Sequence, residues 1–166
     1  MQQVVVEVHR MALERTAAGG PPWSLESRED ADHSTPYLVA VALRDGTVTL
    51  ASFSDAHLWN PELRELMLKV RVVEDEDFTH LYQQLPQQNR ARVTVVTHTG
   101  LRLIGEEGGD ADDLAAPKSD AQISEKFRTV SVDCLGATPV NSILERLWNL
   151  EKVTDVAVIP PLCAIT

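Results

Sequence analysis

The stretch RARVTVVTHTGLRLIGEE, residues 90 to 107, decides the fold class. Arg92, Thr94 and Val96 alternate with Val93, Val95 and Thr97, and a His-Thr-Gly turn follows. Successive side chains of a strand point to opposite faces, so this period of two predicts a β-hairpin with antiparallel arms. Two further β-branched runs, VVVEV near the start and VRVVED from residue 70, are too short and too branched to favour helices. The expectation is a sheet of about three or four strands.

Helical signals lie between and after these strands. Ser34 or Thr35 caps a segment, YLVAVAL, whose first turn holds Pro36 and whose stop is Gly46; it is apolar nearly all round and should be buried. In NPELRELMLKV, Asn60 caps, Pro61 opens the helix, and Leu63, Leu66, Met67 and Val70 recur on one face. Ser119 and Gln122 form a capping box ahead of Ile123, Phe127, Val130 and Cys134, with an end near Gly136. TPVNSILERLWNL repeats a Thr cap and an early proline, with Ile143, Leu144, Leu147, Trp148 and Leu150 as its stripe. The tail, VAVIPPLCAIT, reads as a last strand or as a segment over the core. Residues 17–30 read as a loop anchored by Trp23, and residues 106–118 as an exposed acidic loop. Together these predict one α+β domain over 1–166, a small, mainly antiparallel sheet packed with about four helices.

Composition narrows the function classes. The chain has 166 residues, 43% of them hydrophobic and 24% charged, which is enough for a real core. A net charge of −10 argues against nucleic acid and against anionic membranes, since both need a basic surface. No apolar run approaches the ~20 residues of a membrane span, and MQQVVVEVHR lacks the order of a signal peptide, so the expected compartment is the cytoplasm. Cys134 and Cys163 show no CxxC spacing and are expected as buried small hydrophobes, while His9, His33, His57, His80 and His98 show no metal-binding spacing. No metal and no cofactor are expected. His98 reads as a turn residue, His57 as packing near Trp59, and His9 and His80 have no nameable partner.

The polar doorstep SREDADHSTPY, residues 27–37, carries the sharpest chemical question. One reading is an anion seat: Arg28 grips a carboxylate with two parallel hydrogen bonds, Ser34 or Thr35 adds a hydroxyl at a helix N-terminus, and His33 donates near neutral pH. The other is architectural: Ser34 or Thr35 caps, Asp32 pairs with Arg28, and His33 and Tyr37 finish an interface. Both remain open on sequence alone.

Arg28, Asp32, His33, Ser34 and Tyr37 resemble the Arg-x-x-x-Asp-His-Ser-x-x-Tyr segment of the MmgE/PrpD family. NPELRELMLKVRVVED and ARVTVVTHTG are similar to that family's helix, strand and hairpin. Pro117, Ser119, Lys126, Phe127 and Arg128 resemble its Pro-x-Ser and Lys-Phe-Arg signature, so the likeness runs in order from about residue 3 to 155. Asp110, Asp112 and Asp113 depart from the family's Gly- and His-rich approach to that signature.

The resemblance implies the smaller, C-terminal lid domain of enzymes such as 2-methylcitrate dehydratase, cis-aconitate decarboxylase and iminodisuccinate epimerase, which act beside carboxylates without a required metal. It also implies that the large helical domain holding the main acid and base groups is not among these residues. The expected role is therefore as lid or subunit of a lyase or isomerase for small di- or tricarboxylates, inactive alone, with Arg28, His33, Ser34 and Tyr37 near the substrate. The expected partners are a separate helical catalytic chain and a small polycarboxylate. The rival expectation is a non-catalytic domain that forms a homo-oligomer through apolar surface the helical domain would cover.

Overall fold

The alternating segments form one four-stranded sheet in the order β2-β1-β3-β4: β1 is Gln3–Val8, β2 Val70–Glu74, β3 Ala91–Val96 and β4 Arg102–Glu107. The computed structural model describes residues 1–18, 25–109 and 117–164, and the chain gathers into two units, Met1–Ala116 and Pro117–Thr166. Both β1–β3 and β3–β4 are antiparallel, whereas β1 and β2 are parallel, so the sheet is mainly antiparallel as expected. The parallel pair follows from the connection: a crossover can reverse direction twice only if it is long, and here it spans residues 9–69 and carries several helices.

The alternation in β1 sends Val4, Val6 and Val8 into the core beside Val70, with Val72, Val93 and Val95 packed against them. At the hairpin tip Gly100 has φ 82, a left-handed conformation that glycine adopts without a Cβ clash. Gly108, at φ 99 beyond β4, is more constrained, because a Cβ there would lie 2.0 Å from the Asn89 carbonyl oxygen.

The first unit holds α1 (Arg10–Ala18), α2 (Arg28–Asp32), α3 (Thr35–Asp45), α4 (Asp55–Leu58), α5 (Pro61–Met67) and α6 (Glu76–Gln83), with a 3-10 turn at Leu50–Phe53. Helix α3 is the keystone of the helical layer. Tyr37, Ala40 and Val41 pack with Leu25, Ala31, Leu58, Leu63 and Met67, while Val39 packs towards the valines of the sheet. Each fully buried large apolar side chain of this set contributes roughly 1.5–3 kcal/mol relative to exposure. Its ends obey the sequence: Ser34 caps, and Gly46 closes the helix at φ 80 while its N–H donates to the Ala42 carbonyl. Asn60 caps α5 as read, accepting from the Leu63 N–H at 3.1 Å.

In the second unit, α7 (Asp120–Leu135) begins at the expected Ser119–Gln122 capping box, and α8 (Ala137–Trp148) buries Val140, Ile143 and Leu144. Helix α8 is capped by Gly136 rather than by Thr138, which lies inside its first turn. The four helices read from the sequence are thus α3, α5, α7 and α8, and α1, α2, α4 and α6 are additional to them.

Several local expectations are corrected. The tail forms 3-10 turns at Val156–Val158 and Pro160–Cys163 instead of a strand, because Pro160 and Pro161 offer no ladder N–H. Cys134 and Cys163 are exposed, since α7 buries none of its side chains and the tail lies open. His80 sits on α6, a helix the sequence reading did not include. Trp23, Asp110, Asp112 and Asp113 lie outside the described residues.

Candidate functional site

The doorstep is built from two caps in succession. Ser27 opens α2 with a capping box: its Oγ accepts from the Asp30 N–H at 3.1 Å while the Asp30 carboxylate accepts from the Ser27 N–H at 2.8 Å. Arg28 is therefore the first helical residue, exposed, with its guanidinium 6.0 Å from the centre of the Phe53 ring. Five residues later His33 ends the helix. Its Nδ1–H donates to the Glu29 carbonyl at 3.0 Å, and the same nitrogen meets the Asp32 carboxylate. The Glu29 carbonyl and then the Asp32 charge raise the His33 pKa above its ordinary 6.5, so the ring carries positive charge further towards neutral pH. Asp32 thus pairs with His33, where the architectural reading had it pair with Arg28.

Ser34 and Tyr37 face the other way. Ser34 is buried and its Oγ accepts from the Tyr37 N–H at 3.3 Å, which makes it the α3 cap. Tyr37 is fully buried, its hydroxyl donates to the Ser52 carbonyl, and burial pushes its pKa up. The four sequence-derived residues therefore divide: Arg28 and His33 present donors to solvent, and Ser34 and Tyr37 lock the helix junction from inside. A carboxylate approaching the surface meets the first pair and not the second.

A second polar cluster, unread in the sequence, lies where β1 runs into α1. His9 is 5% exposed. Its Nδ1 accepts from the Ala12 N–H at 3.2 Å, so Nε2 bears the proton and donates to Asn89 Oδ1 at 3.1 Å. Tyr82 stacks on the imidazole with ring centres 3.7 Å apart. Burial lowers the His9 pKa, and the Asn89 bond only partly offsets it. Beside it, Thr79 accepts from the Arg10 N–H at 2.9 Å and donates to Glu74 at 2.8 Å, and Arg10 pairs with Glu74 at 3.2 Å. His9, Arg10, Thr79 and Tyr82 line a cleft of about 370 Å³ that Glu14 and Gln87 also border. The sequence signal was present but faint: a histidine directly after a strand, three residues before a helical N–H that it can cap. Asn89 is 80 residues away, and no local pattern announces it.

The remaining cations and histidines are mostly engaged. Arg92 reaches Glu106 at 2.8 Å, Asp75 at 3.2 Å and Glu7 at 3.4 Å, and lies 5.0 Å over Phe78. It ties strands to α6 and has little left for a ligand. His57 bridges Ser54 and Asp45, at 3.3 and 3.2 Å, where packing near Trp59 had been expected. His98 sits in the hairpin turn as read, and Lys126 and Arg128 are surface charges on α7. Among the described residues, no three His, Cys, Asp or Glu side chains gather as metal ligands would, and no helix is long and apolar enough to cross a membrane.

Comparison with known proteins adds two findings. The family model for the MmgE/PrpD C-terminal domain matches residues 1–152. Cis-aconitate decarboxylase of Homo sapiens is 28% identical over 138 residues, covering 82% of this chain and 27% of that protein. The Mus musculus cis-aconitate decarboxylase is 24% identical over 134 residues, with 81% and 27% covered. The chain therefore spans about a quarter of the length of these relatives.

Proposed function

We propose a function that starts from membership: the chain belongs to the MmgE/PrpD family, whose C-terminal domain it carries, and it serves as the lid or subunit of a lyase or isomerase for small di- or tricarboxylates. The observation that carries this reading is the family match over residues 1–152 in a chain that spans 27% of its decarboxylase relatives. Substrates of the cis-aconitate or 2-methylcitrate kind fit the two surface donors. Arg28 supplies a fork for one carboxylate, and His33, charged more readily than an ordinary histidine, supplies a second. Ser34 and Tyr37 act at one remove, holding the α2–α3 junction so that both donors keep their places.

In this proposal the proton-transfer groups come from a helical part outside these 166 residues, in the same polypeptide or in a second chain. The lid excludes water and fixes the substrate carboxylates, which strengthens every electrostatic contact inside the closed site.

The test is turnover of cis-aconitate and 2-methylcitrate by the 166-residue chain, alone and together with a helical-domain chain of the family. The expected result is no turnover alone and turnover by the pair, with Arg28→Ala raising KM about tenfold or more, as loss of a charge-assisted contact does. Turnover by the chain alone, or a pair that neither associates nor reacts, overturns the proposal.

The non-catalytic reading draws on a different observation: Ile123, Val130 and Val132 of α7 and Trp148 and Leu150 beyond it are exposed apolar groups. A homo-oligomer blind to citrate-like anions is its signature.

A further inference from the structure

Strand β4 ends the sheet, and all six of its residues are exposed, with Leu103 at 55% and Ile104 at 62%. The hairpin fixes which backbone groups point outward. The Thr97 N–H donates to the Leu101 carbonyl at 2.9 Å, so 97 and 101 face each other as a bonded pair. Bonded and non-bonded pairs alternate along an antiparallel ladder. In the observed register, Leu103, Gly105 and Glu107 therefore turn their N–H and C=O groups to Val95, Val93 and Ala91. Arg102, Ile104 and Glu106 turn theirs away from the sheet.

Edge strands usually carry a proline, a bulge or repelling charges that stop another strand from adding. Strand β4 has no proline and an unbroken register, and its charges are complementary under inversion of direction. A two-fold axis perpendicular to the sheet at Ile104 sets Ile104 against Ile104 of the second copy, Arg102 against its Glu106, and Glu106 against its Arg102. All three outward-facing residues then meet outward-facing residues, and every opposed pair lies on one face, as antiparallel pairing requires. Sliding by two residues either way sets Ile104 against a charged residue and breaks the symmetric ion pairs.

The two charges are ready for this use. Among the described residues Arg102 makes no ion pair. Glu106 is held in place by Arg92 at 2.8 Å and Arg90 at 3.3 Å, and a carboxylate has lone pairs for a further donor. We propose that β4 is a self-complementary edge through which two copies of this chain join into one continuous antiparallel sheet, centred on Ile104.

Sedimentation equilibrium of the 166-residue chain over about 1–100 µM tests this, a range that brackets the dissociation constants of modest interfaces. The expected result is a monomer–dimer equilibrium. Ile104→Lys places two ammonium groups against each other at the axis, and Arg102→Glu opposes two pairs of carboxylates; each should weaken the dimer about tenfold or more. Circular dichroism melting at the wild-type temperature checks that both variants fold. Arg102→Glu and Glu106→Lys chains, each weak alone, should pair when mixed, because both cross-strand contacts then become attractive. In a Cys134→Ser, Cys163→Ser background, Ile104→Cys should give a disulfide-linked dimer and Leu103→Cys should not. A monomer at all concentrations, a dimer indifferent to Ile104→Lys and Arg102→Glu, or a mixture that does not recover overturns the proposal. So does a cross-link abolished by joining a family helical domain to the chain, which would assign the edge to that domain.

Discussion

The two places where the chain enters a helix through polar residues, His9 before α1 and the 27–37 doorstep before α3, look alike in sequence and differ in the structure. At the first, a buried histidine spends both ring nitrogens on Ala12 and Asn89 and its face on Tyr82. At the second, the buried pair Ser34 and Tyr37 is similarly spent, while Arg28 and His33 stay in water. A polar residue near a helix start is thus no sign of chemistry until its hydrogen-bonding capacity has been counted. Only what is left over can meet a ligand.

Breaking the inner half of the doorstep should cost most. Tyr37→Ala empties a fully buried aromatic site and should destabilise by about 3–5 kcal/mol in urea denaturation, whereas Tyr37→Phe, which leaves the Ser52 carbonyl without its donor, should cost about 1–3 kcal/mol. Ser34→Ala removes the cap of α3 at a buried position and should cost about 1 kcal/mol or more.

The two histidines sharpen the contrast through pH, with opposite signs. His9 has a lowered folded pKa, so the unfolded chain takes up its proton first. Its contribution is complete above the ordinary value of 6.5 and is lost as pH falls from there through the folded pKa. His33 has a raised folded pKa, so its contribution is present below 6.5 and is lost as pH rises through the folded value. Denaturation midpoints between pH 5 and 8 should show His9→Gln flattening the acid-side decline, and His33→Gln removing a smaller decline at the other end. The smallest stability effect belongs to the outer residues: Arg28→Ala and His33→Ala should leave the midpoint at neutral pH essentially unchanged. Their expected effect is on KM once the helical part is supplied.

Caps and turns were legible in the sequence because they are local. Ser34, Gly46, Asn60 and Ser119 each act within four residues of themselves, and the structure puts all four where the pattern does. The hairpin was legible because period two and a glycine turn coincide. Helix α6 was missed although Asp75 caps it and Phe78 anchors it, since EDEDFTH reads first as a run of acids. The His9–Asn89 bond and the Arg92 cluster join residues up to 85 positions apart, and no window along the chain contains both ends. At the candidate site, the residue types were legible but their orientation was not. Which side chains of SREDADHSTPY turn inward depends on Phe53, Leu58 and Met67, supplied by later segments.

The place of β1 in the sheet also sets an order of events at the ribosome. Val4 pairs with Val70 on one side and Val95 on the other, so β1, made before the other three strands of its sheet, gains its second partner only when residues 91–96 are in place. Until residues 70–74 emerge, VVVEV is an apolar strand with two open edges, the kind of segment that nascent chains shield with chaperones or lose to aggregation. Glu7, the lone charge in that run, separates Val6 from Val8 and serves as its gatekeeper before it becomes a partner of Arg92.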